Sequence, residues 1–76
     1  MLRITVETGK WAARYVEEPI IIMDIDEGST VLDVIEEIGI PEDEAGMAVI
    51  NDNGVPKDHV LSDGDKIKIH PVIIGG

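Results

Sequence analysis

Leu61-Ser-Asp-Gly-Asp-Lys-Ile-Lys-Ile-His-Pro-Val-Ile-Ile-Gly-Gly76 is the stretch on which the fold turns. Leu61 to Asp65 reads as a turn with one apolar anchor, because aspartates flanking a turn glycine commonly hydrogen-bond to backbone. Lys66 to His70 then alternates strictly, sending Ile67 and Ile69 inward and Lys66, Lys68 and His70 outward. Pro71 follows the strand, and three uncharged β-branched residues, Val72, Ile73 and Ile74, precede Gly75 and Gly76.

Upstream of that strand, Asn53-Gly54 is a strong hairpin signal, with a third strand before it from Met47 to Asn51. Val55-Pro56 allows at most a short edge strand, since proline has no donor for the ladder. The pattern from Thr30 to Ile38 predicts one helix. Val31, Leu32, Ile35 and Ile38 make its apolar stripe, and Thr30 with Asp33 approximates a capping box. Gly39 and Pro41 stop it. Ile20 to Ile25 is rich in β-branched residues; Asp24 should face water, so Ile21, Met23 and Ile25 point inward and Ile20 and Ile22 outward. The N-terminal Met1 to Val6 alternates as a first strand, with Leu2, Ile4 and Val6 on one face. Trp11 to Pro19 keeps no clean period, although one helical turn would place Trp11 and Tyr15 together. The expectation is an α+β fold, one helix on a mixed sheet of four to five strands, in a single domain over residues 1–76.

Composition limits what such a domain does. A chain of 76 residues buries only about 60–65% of its unfolded surface. It has no cysteine, hence no disulfide, thiolate metal site or thiol nucleophile. Sixteen acids against six bases give a net charge of −10, which argues against nucleic acid or anionic membrane as partner. The apolar runs are too short to span a bilayer, and no leader-like segment opens the chain, so a cytoplasmic location is expected. Eleven of the acids lie in residues 17–44, where there is no Lys or Arg. That run is either a solvated face or a field steering a basic partner.

The helix start at Gly28-Ser-Thr30, Asn51 with Gly54, the Asp63-Gly-Asp65 turn, Pro71 and the terminal Gly75-Gly76 together resemble the ubiquitin-like β-grasp sulfur carriers, the thiamin-type and molybdopterin-type proteins (ThiS and MoaD). The resemblance implies that Gly76 is adenylated and then converted to a thiocarboxylate. It implies an adenylyltransferase of the ubiquitin-activating type and a sulfurtransferase or cysteine desulfurase as partners. A thiazole synthase or a molybdopterin synthase large subunit would be the acceptor. Thr8-Gly-Lys10 leans to the thiamin type and the long segment before Pro19 to the molybdopterin type, slightly favouring the latter. A ubiquitin-like modifier joined to lysines through Gly76 is the alternative, and a β-grasp adaptor with an inert tail a third.

The chemistry expected of the tail follows from its residues. A terminal carboxylate is ionised at neutral pH and inert toward nucleophiles until activated. With no Gly-rich phosphate loop here, ATP and Mg²⁺ belong to a partner, and no cofactor is expected on this chain. Residues 72–76 are expected to form a flexible reactive tail. Gly75 and Gly76 lack Cβ and can thread a narrow channel, while Ile73 and Ile74 suit an apolar groove. Ile20, Ile22, His70 and Val72, joined by Met47/Val49 or Ala48/Ile50, form a candidate docking face, unless they pack beneath the Trp11–Tyr15 segment.

Other chemistry finds little support. Asp24 to Gly28 begins like a calcium loop, but its twelfth position is Ile35 instead of the bidentate glutamate. His59 and His70 have no paired ligand spacing, so no metal site is expected. No catalytic constellation can be assembled, and a carrier acted on by other enzymes is the expectation.

Overall fold

The computed structural model describes residues 1–72. Five strands, β1 (Leu2–Glu7), β2 (Ile20–Ile25), β3 (Ala45–Ile50), β4 (Asn53–Val55) and β5 (Lys66–Pro71), build one sheet around a single helix, α1 (Val31–Ile38). Their spatial order is β2-β1-β5-β3-β4. The first and last strands pair in parallel at the centre, and every other pairing is antiparallel. This is the mixed-sheet α+β architecture of the β-grasp.

Alternation explains the core. Ile4 and Val6 of β1, Ile67 and Ile69 of β5, Ala48 and Ile50 of β3 and Ile25 of β2 face one side. There they meet Val31, Val34 and Ile35 of α1. The helix stripe therefore differs from the expected one. Val34 is buried where Leu32 and Ile38 are only half-buried, because the helix axis sets its apolar face at 31, 34 and 35. Ile40, just past the helix, also joins the core.

The ends of α1 follow from the sequence. Thr30 Oγ1 accepts from the Asp33 N–H at 3.2 Å, and Asp33 Oδ2 accepts from the Thr30 N–H at 2.9 Å, a reciprocal capping box. The Val31 and Leu32 N–H groups donate to the carbonyls of His59 and Lys57. Gly39 closes the helix at φ 90°, a conformation that favours glycine.

Two turns differ from expectation. The β3–β4 hairpin turns at Asn51-Asp52, both at positive φ (52° and 66°), and not at Asn53-Gly54. Pairing of Ile50 with Asn53 leaves a two-residue loop, in which Asn and Asp tolerate the left-handed region better than most residues. Asn53 and Gly54 therefore belong to β4. The segment after β1 forms a short 3-10 turn at Lys10–Ala12. Ala12 is fully buried there, and Trp11, Tyr15 and Val16 pack against the same core as the helix. The segment covers the inner side of the domain, so Ile20 and Ile22 stay exposed instead of packing beneath it.

Candidate functional site

β5 runs through the middle of the sheet and delivers Pro71 and Val72 to one end of it. The strand reaches one residue further than alternation suggested, with Pro71 set against Ala45. A register shift between Ala45 and Met47 leaves Gly46 as a bulge on β3. A Cβ on Gly46 would lie 2.7 Å from the Pro71 carbonyl oxygen and 2.9 Å from Val72 Cα. Glycine is thus required where two backbones touch. Because the expected strand begins at Met47, Gly46 goes unread in the sequence. A glycine inside an apolar strand pattern is nevertheless a signal of a bulge or close approach.

Val72, expected to open the free tail, is still held: its N–H donates to the Glu44 carbonyl at 3.0 Å. The Glu44 carboxylate accepts from the Tyr15 hydroxyl, which raises the phenol pKa above its ordinary value, chiefly through that hydrogen bond. The long segment after β1 and the acidic turn at Glu42–Glu44 therefore meet at the root of the tail. Trp11 and Arg14 line the same hollow as Pro71 and Val72. Sequence reasoning singled out Trp11 and Tyr15 only as an aromatic pair, since contacts with residues far along the chain, 29 positions for Tyr15 and Glu44, leave no local pattern.

On the outer face, Gly46, Met47, His70, Pro71 and Val72 line a wide apolar groove of about 530 Å³. Met47 and Val49 turn outward, resolving the pair left open by the sequence, and Met47 is 57% exposed. The expected docking face is nevertheless not one patch. Glu7 pairs with Ile20 on one side and Lys68 on the other, and Thr5 pairs with Ile22 and Lys66. The polar outer face of β1, with Lys66 and Lys68 of β5 beside it, thus separates Ile20 and Ile22 from His70 and Val72. Alternation assigns residues to a face, but only strand order says which are neighbours. The expected site residues Gly76, Gly75, Ile74 and Ile73 lie outside the described residues.

The Asp63-Gly-Asp65 turn is structural. Asp63 Oδ1 accepts from the Arg3 N–H at 2.8 Å, the Gly64 N–H donates to the Arg3 carbonyl, and the Asp65 carbonyl accepts from the Thr5 N–H. The turn thereby extends the β1–β5 pairing. Among the described residues, no group of three or more metal-ligating side chains is assembled, and no helix is long and apolar enough to cross a membrane.

Residues 4–74 match the profile of the family described as Mut7-C ubiquitin. The chain belongs to that family. Solved structures agree with the ubiquitin-like fold expected of the Mut7-C ubiquitin family. A Pyrococcus furiosus protein assigned as molybdopterin converting factor, subunit 1, superposes with a TM-score of 0.77 at 22% identity, over 96% of this chain and all of that one. The small archaeal modifier protein 1 of H. volcanii gives 0.77 at 14% identity, again over 96% of this chain and all of that one. The Haloferax volcanii HVO 2177 protein gives 0.76 at 18% identity, over 99% of this chain and 87% of the other. At these identities the likeness establishes the fold. No curated protein sequence matches the chain significantly.

Proposed function

We propose that this protein is a carrier whose working group is the Gly76 carboxylate, activated as an adenylate and converted to a thiocarboxylate. The observation that supports this reading most directly is the path of β5. The central strand ends at Pro71 beside an apolar groove, four residues before Gly75-Gly76. In the proposed reaction a Gly76 carboxylate oxygen attacks the α-phosphorus of ATP and pyrophosphate leaves. The terminal sulfur of a cysteine persulfide then displaces AMP at the acyl carbon, and a thiol cleaves the acyl disulfide to release the thiocarboxylate. ATP and Mg²⁺ sit on the activating partner, of the ubiquitin-activating type, and a sulfurtransferase or cysteine desulfurase supplies the persulfide. Gly75 permits channel insertion, Ile73 and Ile74 guide the tail, and Met47, His70 and Val72 form the surface on which the partner seats. The acceptor of the thiocarboxylate sulfur is a molybdopterin synthase large subunit or a thiazole synthase, the long segment before Pro19 leaning to the former.

The equally close superposition on a small archaeal modifier supports a second reading, conjugation to lysines through the same glycine. One experiment separates them. Intact mass of the protein from its own cells reads a chain ending at Gly76 and a gain of about 16 Da, sulfur for oxygen, for the carrier. Gly-Gly remnants on lysines of other proteins identify the modifier. A mature chain that continues past Gly76 overturns both.

A further inference from the structure

The two edges of the sheet are protected unequally. β4, at one edge, is three residues long and is followed by Pro56, two devices that discourage pairing with another chain. β2, at the other, runs six residues, Ile20-Ile-Ile-Met-Asp-Ile25, with no proline, and its one charge, Asp24, is engaged by Arg3 at 3.0 Å. The Thr8 N–H donates to the Pro19 carbonyl at 2.8 Å, so residues 8 and 19 form a hydrogen-bonded pair. Such pairs alternate along an antiparallel ladder. Glu7 opposite Ile20, Thr5 opposite Ile22 and Arg3 opposite Asp24 are then the non-bonded pairs. The N–H and C=O groups of Ile20, Ile22 and Asp24 consequently point out of the sheet at its open edge.

Side chains around this edge define what fits. Ile20 and Ile22 are 54% and 68% exposed on the outer face. On the inner face a groove of about 210 Å³ lies between β2 and α1, with Met23, Val34, Asp26, Asp33 and Glu37 among its lining residues. Glu17 and Glu18 precede the strand, Asp26 and Glu27 follow it, and no base occurs from residue 17 to 44.

We propose that β2 accepts an extended segment of a partner protein as a sixth strand, one bearing bulky apolar side chains two residues apart and Lys or Arg at both ends. Its backbone completes the hydrogen bonds of Ile20, Ile22 and Asp24. Its apolar side chains cover Ile20 and Ile22, and its basic ends meet the acids that bracket the edge. A second copy of this chain fits badly, because joining two β2 edges opposes acidic flanks on molecules of net charge −10.

The test is a titration of the isotopically labelled full chain with a capped peptide of two valines separated by a threonine and flanked on each side by two lysines. Amide shifts are expected within residues 20–25, with slowed hydrogen exchange at Ile20, Ile22 and Asp24. Replacing the peptide lysines with glutamates should weaken binding about tenfold or more. Ile22→Lys should abolish binding with the remaining spectrum unchanged, as should N-methylation of the peptide's central residues. Deleting Gly75–Gly76 should leave binding intact, which separates this surface from the carrier reading. Shifts centred on Met47, His70 and Val72, equal binding of the glutamate peptide, no shifts at millimolar peptide, or protection of β2 by self-association would each overturn the proposal.

Discussion

Gly46 is the residue on which the root of the tail depends. Gly46→Ala forces a Cβ into the Pro71 and Val72 backbone, and backbone cannot move aside as a side-chain tip can. A loss of about 1–3 kcal/mol in urea unfolding is expected, together with amide shifts at Val72 and Glu44. Wild-type stability with an unchanged Val72 amide would show that the contact carries nothing. Tyr15 is the only tyrosine, so its absorbance change on ionisation reports one group. The bond to Glu44 raises its pKa. The stabilisation from that contact is therefore complete below the ordinary tyrosine range and is lost as pH climbs through the raised value. Glu44→Ala should return the midpoint toward that of a free tyrosine. An unaltered midpoint would remove the contact from the account.

At the scale of elements, α1 is the most legible part of the chain. Thr30, Asp33 and Gly39 are local signals whose effects do not depend on distant partners. Thr30→Ala removes the acceptor for the Asp33 N–H and should cost about 1 kcal/mol, or about 4–8 °C in melting temperature for a domain this size. The β3–β4 hairpin was legible as a hairpin but not in its register. Asn53-Gly54 and Asn51-Asp52 are both chemically acceptable turns, and pairing of β3 with β4 and β5 selects the latter. Val34 and Ile40 were hidden for a related reason. Helical spacing permits several apolar faces in a helix this rich in Val, Leu and Ile, and the sheet beneath chooses among them.

For the whole molecule, stability and charge are the properties to test. Ile67 is fully buried at the centre of the sheet. Ile67→Ala should cost about 2–5 kcal/mol, a large share of what a domain this small possesses, and thermal melting should show a largely unfolded population at 37 °C. The charge of −10, concentrated in residues 17–44, should steer association with a basic partner. The association rate with the proposed activating partner should fall roughly tenfold from low to near-molar salt. A flat rate would leave the acids as a solvated face only.

Strand alternation, the capped helix and the turn before the last strand were determined by local chemistry: side-chain period, capping hydrogen bonds and backbone propensity act over a few residues. The Gly-Gly pattern after Pro71 was equally visible, because it is a matter of composition and order. Strand order is different in kind. Pairing β1 with β5 brings together residues some sixty positions apart. The strand order built on it separates Ile20 and Ile22 from Met47 and Val72 and leaves β2 at a sheet edge, while β3 against β5 brings Gly46 to Pro71 and the folded segment after β1 brings Tyr15 to Glu44. Those relations arise from packing one buried face against α1, a constraint that exists only once the chain is folded.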